Sequence, residues 1–231
     1  MKNYICINGN KTELSDEQVR ELGFTADTSI GDLSEMVTSG KARSRAKIHD
    51  RVTLAGREFE IIGIDHDTDI DNMASPTITL MAKLLLPTRR MHSGKCERGW
   101  IDTELRAWLN DEIINSLPAE LVSHIRRVVK TTHSHKGDVF ETTDKLFIPS
   151  ESEMFGSAIY SDFEDGARYE AFSTSEHRVR YDEDGYPCSY WTRSPYGGTS
   201  ANCASVTISG HASVNPATVT GIRAPLCFCF A

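Results

Sequence analysis

From Tyr160 to Ala231 the sequence carries no helical period. Gly, Ser, Tyr and Asp crowd this stretch, broken by short runs that alternate apolar and polar residues, so it can be ordered only as loops and short strands laid on a scaffold built elsewhere in the chain. The clearest run covers residues 203–209. Ala204, Val206 and Ile208 fall on one side of a strand there, and Cys203, Ser205, Thr207 and Ser209 on the other. The first set predicts a core face and the second an outward face of small, chemically mixed side chains. Upstream, Tyr186, Tyr190 and Tyr196 flank Trp191 and Arg193, and Gly197-Gly198-Thr199-Ser200 reads as a pliable loop. Tyr with Ser, Gly and Asn is the composition of adaptable binding loops. A plain Ser and Gly loop beside an edge strand would have the same composition.

The scaffold is legible upstream. Val52 and Leu54, then Phe59, Ile61, Ile62 and Ile64, bracket Ala55-Gly56 as in a hairpin, and residues 78–86 form a further apolar strand. Asp102 or Thr103 can cap a helix with an apolar face of Leu105, Trp108, Leu109, Ile113 and Leu117. Pro118 suits the first turn of a second helix carrying Leu121, Val122 and Ile125. Val128-Val129 and Leu146-Phe147-Ile148 read as strands, and Ser150 with Glu153 makes a capping box. At the N-terminus, residues 2–8 predict a strand, Asn8-Gly9 a turn, and Ser15, Gln18 and Gly23 the start, capping box and end of a helix. Residues 25–45 are polar with a weak period through Ile30, Leu33, Met36 and Val37, and read as a linker. The organisation is therefore α+β, with a small N-terminal unit and linker over 1–45 and one larger domain over 46–231.

Charge narrows the partners. Lys and Arg number 25 against 33 Asp and Glu, a formal charge of -8, with no basic stretch longer than Arg126-Arg127, which excludes a nucleic-acid face. No apolar run approaches the ~20 residues of a spanning helix, so membrane insertion is not expected. The apolar residues after Lys2 give way at Asn8, unlike a signal peptide, and cytoplasmic synthesis follows as the expectation. The six cysteines are scattered through a chain large enough for its own core and read as reduced thiols.

Candidates for chemistry are weak. Asp65, Asp67, Asp69 and Asp71 alternate like the start of a calcium loop, but Ile70 stands where the turn needs Gly and Pro76 where the bidentate Glu belongs, so a solvated acidic loop is the plainer reading. His133 and His135, with His124, lack a ligand-like partner. Cys227 and Cys229 share one face of a strand, as soft-metal ligands or core residues would. No phosphate loop, nucleophile elbow or readable triad is present, so neither catalysis nor a cofactor is expected.

Trp191-Thr192-Arg193-Ser194-Pro195 and Gly221-Ile222-Arg223-Ala224-Pro225-Leu226 resemble the Trp-Leu-Arg-Ser-Pro and Gly-Val-Arg-Pro-Ala-Leu hallmarks of a domain family of unassigned function found in gut bacteria and their phages. The likeness continues through residues 105–110, 144–150 and 166–172, and spans about Val52 to the C-terminus. Thr192 and the order Ala224-Pro225 depart from the hallmarks. That family in turn resembles the C-type lectin fold of formylglycine-generating enzymes and of the variable proteins of diversity-generating retroelements, in which a reverse transcriptase rewrites adenine-derived codons. The resemblance implies a non-enzymatic, receptor-binding type of variable protein, phage or prophage encoded and virion-associated, that displays a diversified surface to a host-surface or other macromolecular ligand. It implies Trp191, Arg193, Gly221 and Arg223 as scaffold. The ligand-binding positions would be Tyr186, Ser189, Tyr190, Thr192, Tyr196, Gly197, Asn202, Cys203, Ser205, Thr207, Ser209 and His211. Two other readings remain: a structural or assembly component of a phage particle, with homo-oligomer or phage partners, and a copper oxidase of the formylglycine-generating type using Cys227 and Cys229.

Overall fold

The computed structural model describes residues 30–231 in full and, ahead of them, the backbone of two strands, β1 (Asn3–Ile7) and β2 (Asn10–Leu14). These strands pair antiparallel, with Asn3 opposite Leu14 and Ile7 opposite Asn10. The helix expected from Ser15 to Gly23 lies outside the described residues. The stretch read as a linker is helical from Ile30 onward, in α1 (Ile30–Thr38) and α2 (Ala42–Arg45). Leu33, Val37 and Ala42 are fully buried in the main core, so the larger domain takes in residues that the expected boundary at 46 excluded. The weak period was a true apolar stripe: Ile30, Leu33 and Val37 recur at helical spacing, and polar neighbours on the solvent side diluted it.

β3 (Arg51–Leu54) and β4 (Arg57–Ile64) form the expected hairpin, with Ala55 and Gly56 both at positive φ, 52° and 73°, as a tight two-residue turn requires. The apolar run over 78–86 splits in two. β5 (Ile78–Ala82) stays beside β4, and β6 (Leu86–Thr88) crosses to a second sheet. Thr103 caps α3 (Glu104–Trp108) by accepting the Arg106 N–H at 3.2 Å. The helix then widens into a π turn (Leu109–Ile113) before α4 (Ile114–Ser116) and α5 (Ala119–His124). β7 (Ile125–Arg126), β8 (Val128–His133), β9 (Val139–Asp144) and β10 (Leu146–Phe147) follow, then α6 (Glu151–Phe155) with the complete Ser150–Glu153 capping box.

The loop-rich remainder holds α7 (Ser175–Arg178), β11 (Arg180–Tyr181), β12 (Pro187–Cys188), β13 (Tyr190–Pro195), β14 (Asn202–Val206), β15 (Ala212–Pro216), β16 (Arg223–Ala224) and β17 (Cys227–Phe230). One sheet runs β10-β17-β5-β4-β3, with β7 also paired to β17, and the other runs β15-β14-β13-β16-β6. β8–β9 and β11–β12 are two-stranded ribbons. The architecture is mixed α+β, mostly sheet, with no barrel among the described residues.

The inner strands of both sheets, β5 and β17 in one and β13 and β14 in the other, are covered on both faces. Along β17, Phe228 and Phe230 face the main core with Phe59, Trp100 and Trp191, while Cys227 and Cys229 face a second cluster with Met81, Phe147, Tyr169, Phe172 and Tyr190. β14 is placed alike: Cys203 packs in the first cluster and Val206 in the second. This corrects the reading of residues 203–209 as a strand with one wet face. Cys203 and Ser205 are 2% and 1% exposed, and Ser205 satisfies its buried hydroxyl by accepting the Asn215 side-chain amide at 2.8 Å. Small side chains fit equally well against water or against a close-packed neighbour, so alternation alone does not tell a half-wet strand from an interior one.

Candidate functional site

The pairing of β13 with β14 sorts the expected ligand-binding positions. Tyr190 stands opposite Val206 and Pro195 opposite Cys203, so chain before Tyr190 and after Val206 leaves at one end of the sheet, and residues 196–201 turn at the other. Tyr186, Ser189, Thr207, Ser209 and His211 belong to the first end. Tyr196, Gly197 and Asn202 belong to the second. Tyr190 and Thr192 are fully buried and, with Cys203 and Ser205, are corrected from ligand-facing to core. Thr192 spends its hydroxyl on the Ala204 carbonyl at 3.0 Å.

The first end is a braced surface. The Tyr190 hydroxyl donates to the Arg178 carbonyl at 2.5 Å, and Arg178 Nε donates to the Gly210 carbonyl at 2.8 Å, tying α7 to the hairpin tip. Gly210 has φ +77°, and a Cβ there would lie 1.9 Å from the Ser175 carbonyl oxygen, so the tip approaches α7 as only glycine permits. Within the tip, Thr207 Oγ1 accepts the His211 N–H at 3.0 Å, and Ser209 Oγ lies 3.1 Å from both Thr207 Oγ1 and His211 Nδ1. Arg223 reaches Asp182 at 3.5 Å and Glu183 at 3.3 Å, fixing the neighbouring β11–β12 turn. On this frame Tyr186 is 68% and Ile208 56% exposed. Ile208 was expected in the core. The chain leaves the strand after Val206, and the alternation ends with it.

At the other end Tyr196 sets its ring edge-on to Tyr160 at 6.5 Å between centroids, and Gly197 N–H donates to the Tyr160 carbonyl at 2.9 Å. Any side chain at Gly197 would require the Asp162 carboxyl to swing aside, since a Cβ would fall 2.2 Å from it.

Sequence reasoning missed the interior constellation beneath the frame. Asp67 Oδ1 accepts Lys130 Nζ at 2.5 Å, and Oδ2 accepts the hydroxyls of Thr79 at 2.6 Å and Tyr169 at 2.8 Å. Lys130 also donates to Glu153 Oε1 at 3.1 Å. Arg193 forks onto Glu153 and donates to the Ile148 and Asp165 carbonyls at 3.3 and 2.7 Å. Two carboxylates and two cations thus neutralise each other away from water. Burial opposes charge on Asp67, yet Lys130 holds its carboxyl below the usual range. Burial likewise opposes charge on Glu153, which Arg193 and Lys130 hold low. Lys130 is penalised by burial but held above its ordinary value by Asp67 and Glu153, and burial pushes the Tyr169 phenol well up. The partners lie up to 102 residues apart, and no local pattern announces them.

His66, its ring tilted 31° against Tyr169 at 4.0 Å between centroids, brings a ring nitrogen within 4.8 Å of carboxylate oxygens of Asp67 and Glu153. The trio does not fit a metal ion, because Lys130 and Arg193 already occupy both carboxylates, and a third cation would face two fixed positive charges. Burial lowers the His66 pKa, in keeping with a neutral ring.

The other candidates disperse. Asp65 pairs with Arg43, Asp67 with Lys130, Asp69 with Arg126 at 3.7 Å and Asp71 with Arg127, so each carboxylate of the acidic loop meets its own cation instead of a shared centre. His133 bonds Asp165 at 2.7 Å, and His124 stacks on Phe230. Burial pushes the Cys227 and Cys229 thiols far above their ordinary value. Trp191, fully buried, donates its indole N–H to the Arg89 carbonyl at 2.8 Å. Gly221 is exposed with open space around it, and nothing in the structure explains it.

No curated protein and no solved structure matches this chain. Residues 76–229, from the head of β5 to the last strand, match the family described as a domain of unknown function, DUF6273. The match takes in β13, β16 and Arg193 and covers more than half of the sequence, so the chain belongs to the DUF6273 family.

Proposed function

We propose that this protein is a non-enzymatic, receptor-binding type of ligand-binding module with a C-type lectin-like arrangement, phage or prophage encoded, made in the cytoplasm and carried on a virion. The observation that carries this reading is the exposure of Tyr186 and Ile208 on two turns at one end of the sheet, above a base braced by Tyr190, Arg178 and Gly210. Large side chains held in water by a rigid base offer contact area at little ordering cost, which is what a recognition surface needs. Ser189, Thr207, Ser209 and His211 supply the surrounding polar groups. The return of β17 into the middle of the first sheet, leaving the C-terminal half as a loop-rich excursion, supports the lectin-like arrangement.

A retroelement that diversifies this surface has fewer positions to use than the sequence implied, because Tyr190, Thr192, Cys203 and Ser205 carry packing. The copper reading is disfavoured by thiols at Cys227 and Cys229 that burial keeps protonated.

The test uses labelled full-length protein against a panel of intact gut-bacterial cells. Saturable binding to at least one strain, reduced about tenfold or more in a Tyr186→Ala/Ile208→Ser/His211→Ala variant of unchanged thermal midpoint, is the expected result. Binding that survives the triple change, or none across the panel, removes the proposal.

A further inference from the structure

Cys96 and Cys203 lie far apart in sequence and meet in the core. Their sulfurs are 3.6 Å apart, and the residues are 1% and 2% exposed. The segment bearing Cys96 is already clamped to the approach of β14: the Cys96 N–H donates to the Ser200 carbonyl at 2.8 Å, and the Ser200 hydroxyl lies 3.1 Å from Glu97 Oε1. Cys203 is held by its pairing with Pro195 and with Asn215. Both backbones are therefore fixed by bonds that owe nothing to the thiols, and the sulfurs need to close only to about 2.05 Å for a disulfide.

We propose that Cys96 and Cys203 form a reversible disulfide cross-link when the protein meets a small-molecule disulfide oxidant such as oxidised glutathione. The Cys96 contact and burial hold the Cys203 thiol well up in the closed domain, so the first step takes place in a local opening in which the Cys96 segment leaves Ser200. One thiol gives up its proton there and attacks the oxidant, releasing one reduced glutathione and leaving a mixed disulfide. The second thiolate displaces the remaining glutathione, and the S–S bond forms as two protons and two electrons pass to two glutathione thiols. The inference is independent of the surface-binding reading, since both sulfurs lie inside the domain. The bridge would join the segment between β6 and α3 to β14 of the second sheet, closing a long loop and stiffening the frame under oxidising conditions.

Among the described residues, neither of the other buried thiols competes. Cys227 and Cys229 are separated by one residue on a straight strand paired on both sides. Cys188, half-buried and near Asp182, serves as the reporter that the oxidant is active.

The experiment treats the full chain with oxidised glutathione below its thermal midpoint, blocks residual thiols, and maps the non-reduced digest. The expected result is a linked peptide pair containing Cys96 and Cys203, an intact-mass loss of about 2 Da on top of any glutathione adduct at Cys6 or Cys188, and a midpoint about 4–10 °C above the reduced form. The midpoint shift should vanish with dithiothreitol and be missing from Cys96→Ser and Cys203→Ser. Should Cys188 be fully modified while Cys96 and Cys203 are recovered as separately blocked thiols in the wild-type protein, the proposal is overturned. That readout needs neither variant to fold.

Discussion

Arg193 and Glu153 form a two-pronged ion pair, one prong 3.0 Å long, with side chains only 1% and 3% exposed. The pair sits at the meeting point of β13, α6 and β8, where Arg193 also gathers backbone carbonyls that no strand or helix satisfies. Its loss leaves Lys130 facing two carboxylates, takes the Arg193 donor from the Ile148 carbonyl, and leaves the Asp165 carbonyl with the Ser150 hydroxyl alone.

Arg193→Ala is expected to lower unfolding free energy by about 3–5 kcal/mol, as breaking one side of a buried pair does. Arg193→Lys restores the charge without the fork and should recover only part of this. Urea unfolding of both variants checks it, and a loss under about 1 kcal/mol for the alanine variant would refute the bracing role.

Stability should fall on acidification in two stages. Burial lowers the folded pKa of His66, so its contribution is full above the unfolded value of about 6.5 and is lost as pH drops through the folded value. Asp67 and Glu153 are also depressed in the folded state, so theirs is full above about pH 4–4.5 and disappears as pH falls through their folded values. Asp165, raised mainly by burial, acts in the opposite sense and softens the second stage. Urea midpoints across pH 8 to 3 should show both stages, and His66→Gln should abolish the first alone.

Two glycines separate strain from collision. Gly185 and Gly210 both have positive φ, 83° and 77°, but a Cβ at Gly185 meets nothing within 4 Å whereas one at Gly210 strikes the Ser175 carbonyl. Gly185→Ala should cost about 1–2 kcal/mol, the left-handed penalty. Gly210→Ala should cost clearly more, because the tip must also move away from α7. Equal thermal midpoints for the two variants would contradict the close approach.

The encoding DNA offers a further check. If a near-copy of the 3′ coding segment lies beside a reverse transcriptase gene, its adenine mismatches should fall at the codons of Tyr186, Ser189, Thr207, Ser209 and His211 and spare those of Tyr190, Thr192, Cys203 and Ser205. Mismatches concentrated at the buried four would contradict the placement of the variable surface.

Local features were readable from the chain alone. The Ala55-Gly56 hairpin, the Thr103 cap and the Ser150–Glu153 capping box each depend on residues within a few positions of one another, and each is present. What failed was inference about the environment on either side of an element. Leu33 and Val37 belonged to a helix docked on the core, and Ser205 to an interior strand, because the surfaces that cover them arrive from distant parts of the chain. The Asp67–Lys130–Glu153–Arg193 network was invisible for the same reason. Its residues are ordinary where they stand, and only the fold gives them partners.

The position of β17 bears on how the molecule is made. Residues 227–230 fill the slot between β5 on one side and β10 with β7 on the other, so the ribosome must release almost the entire domain before that slot can close. Until then β5 presents an open, apolar edge of the kind that chaperones bind. Removing those few residues would not trim a tail but would leave a gap through the middle of the molecule.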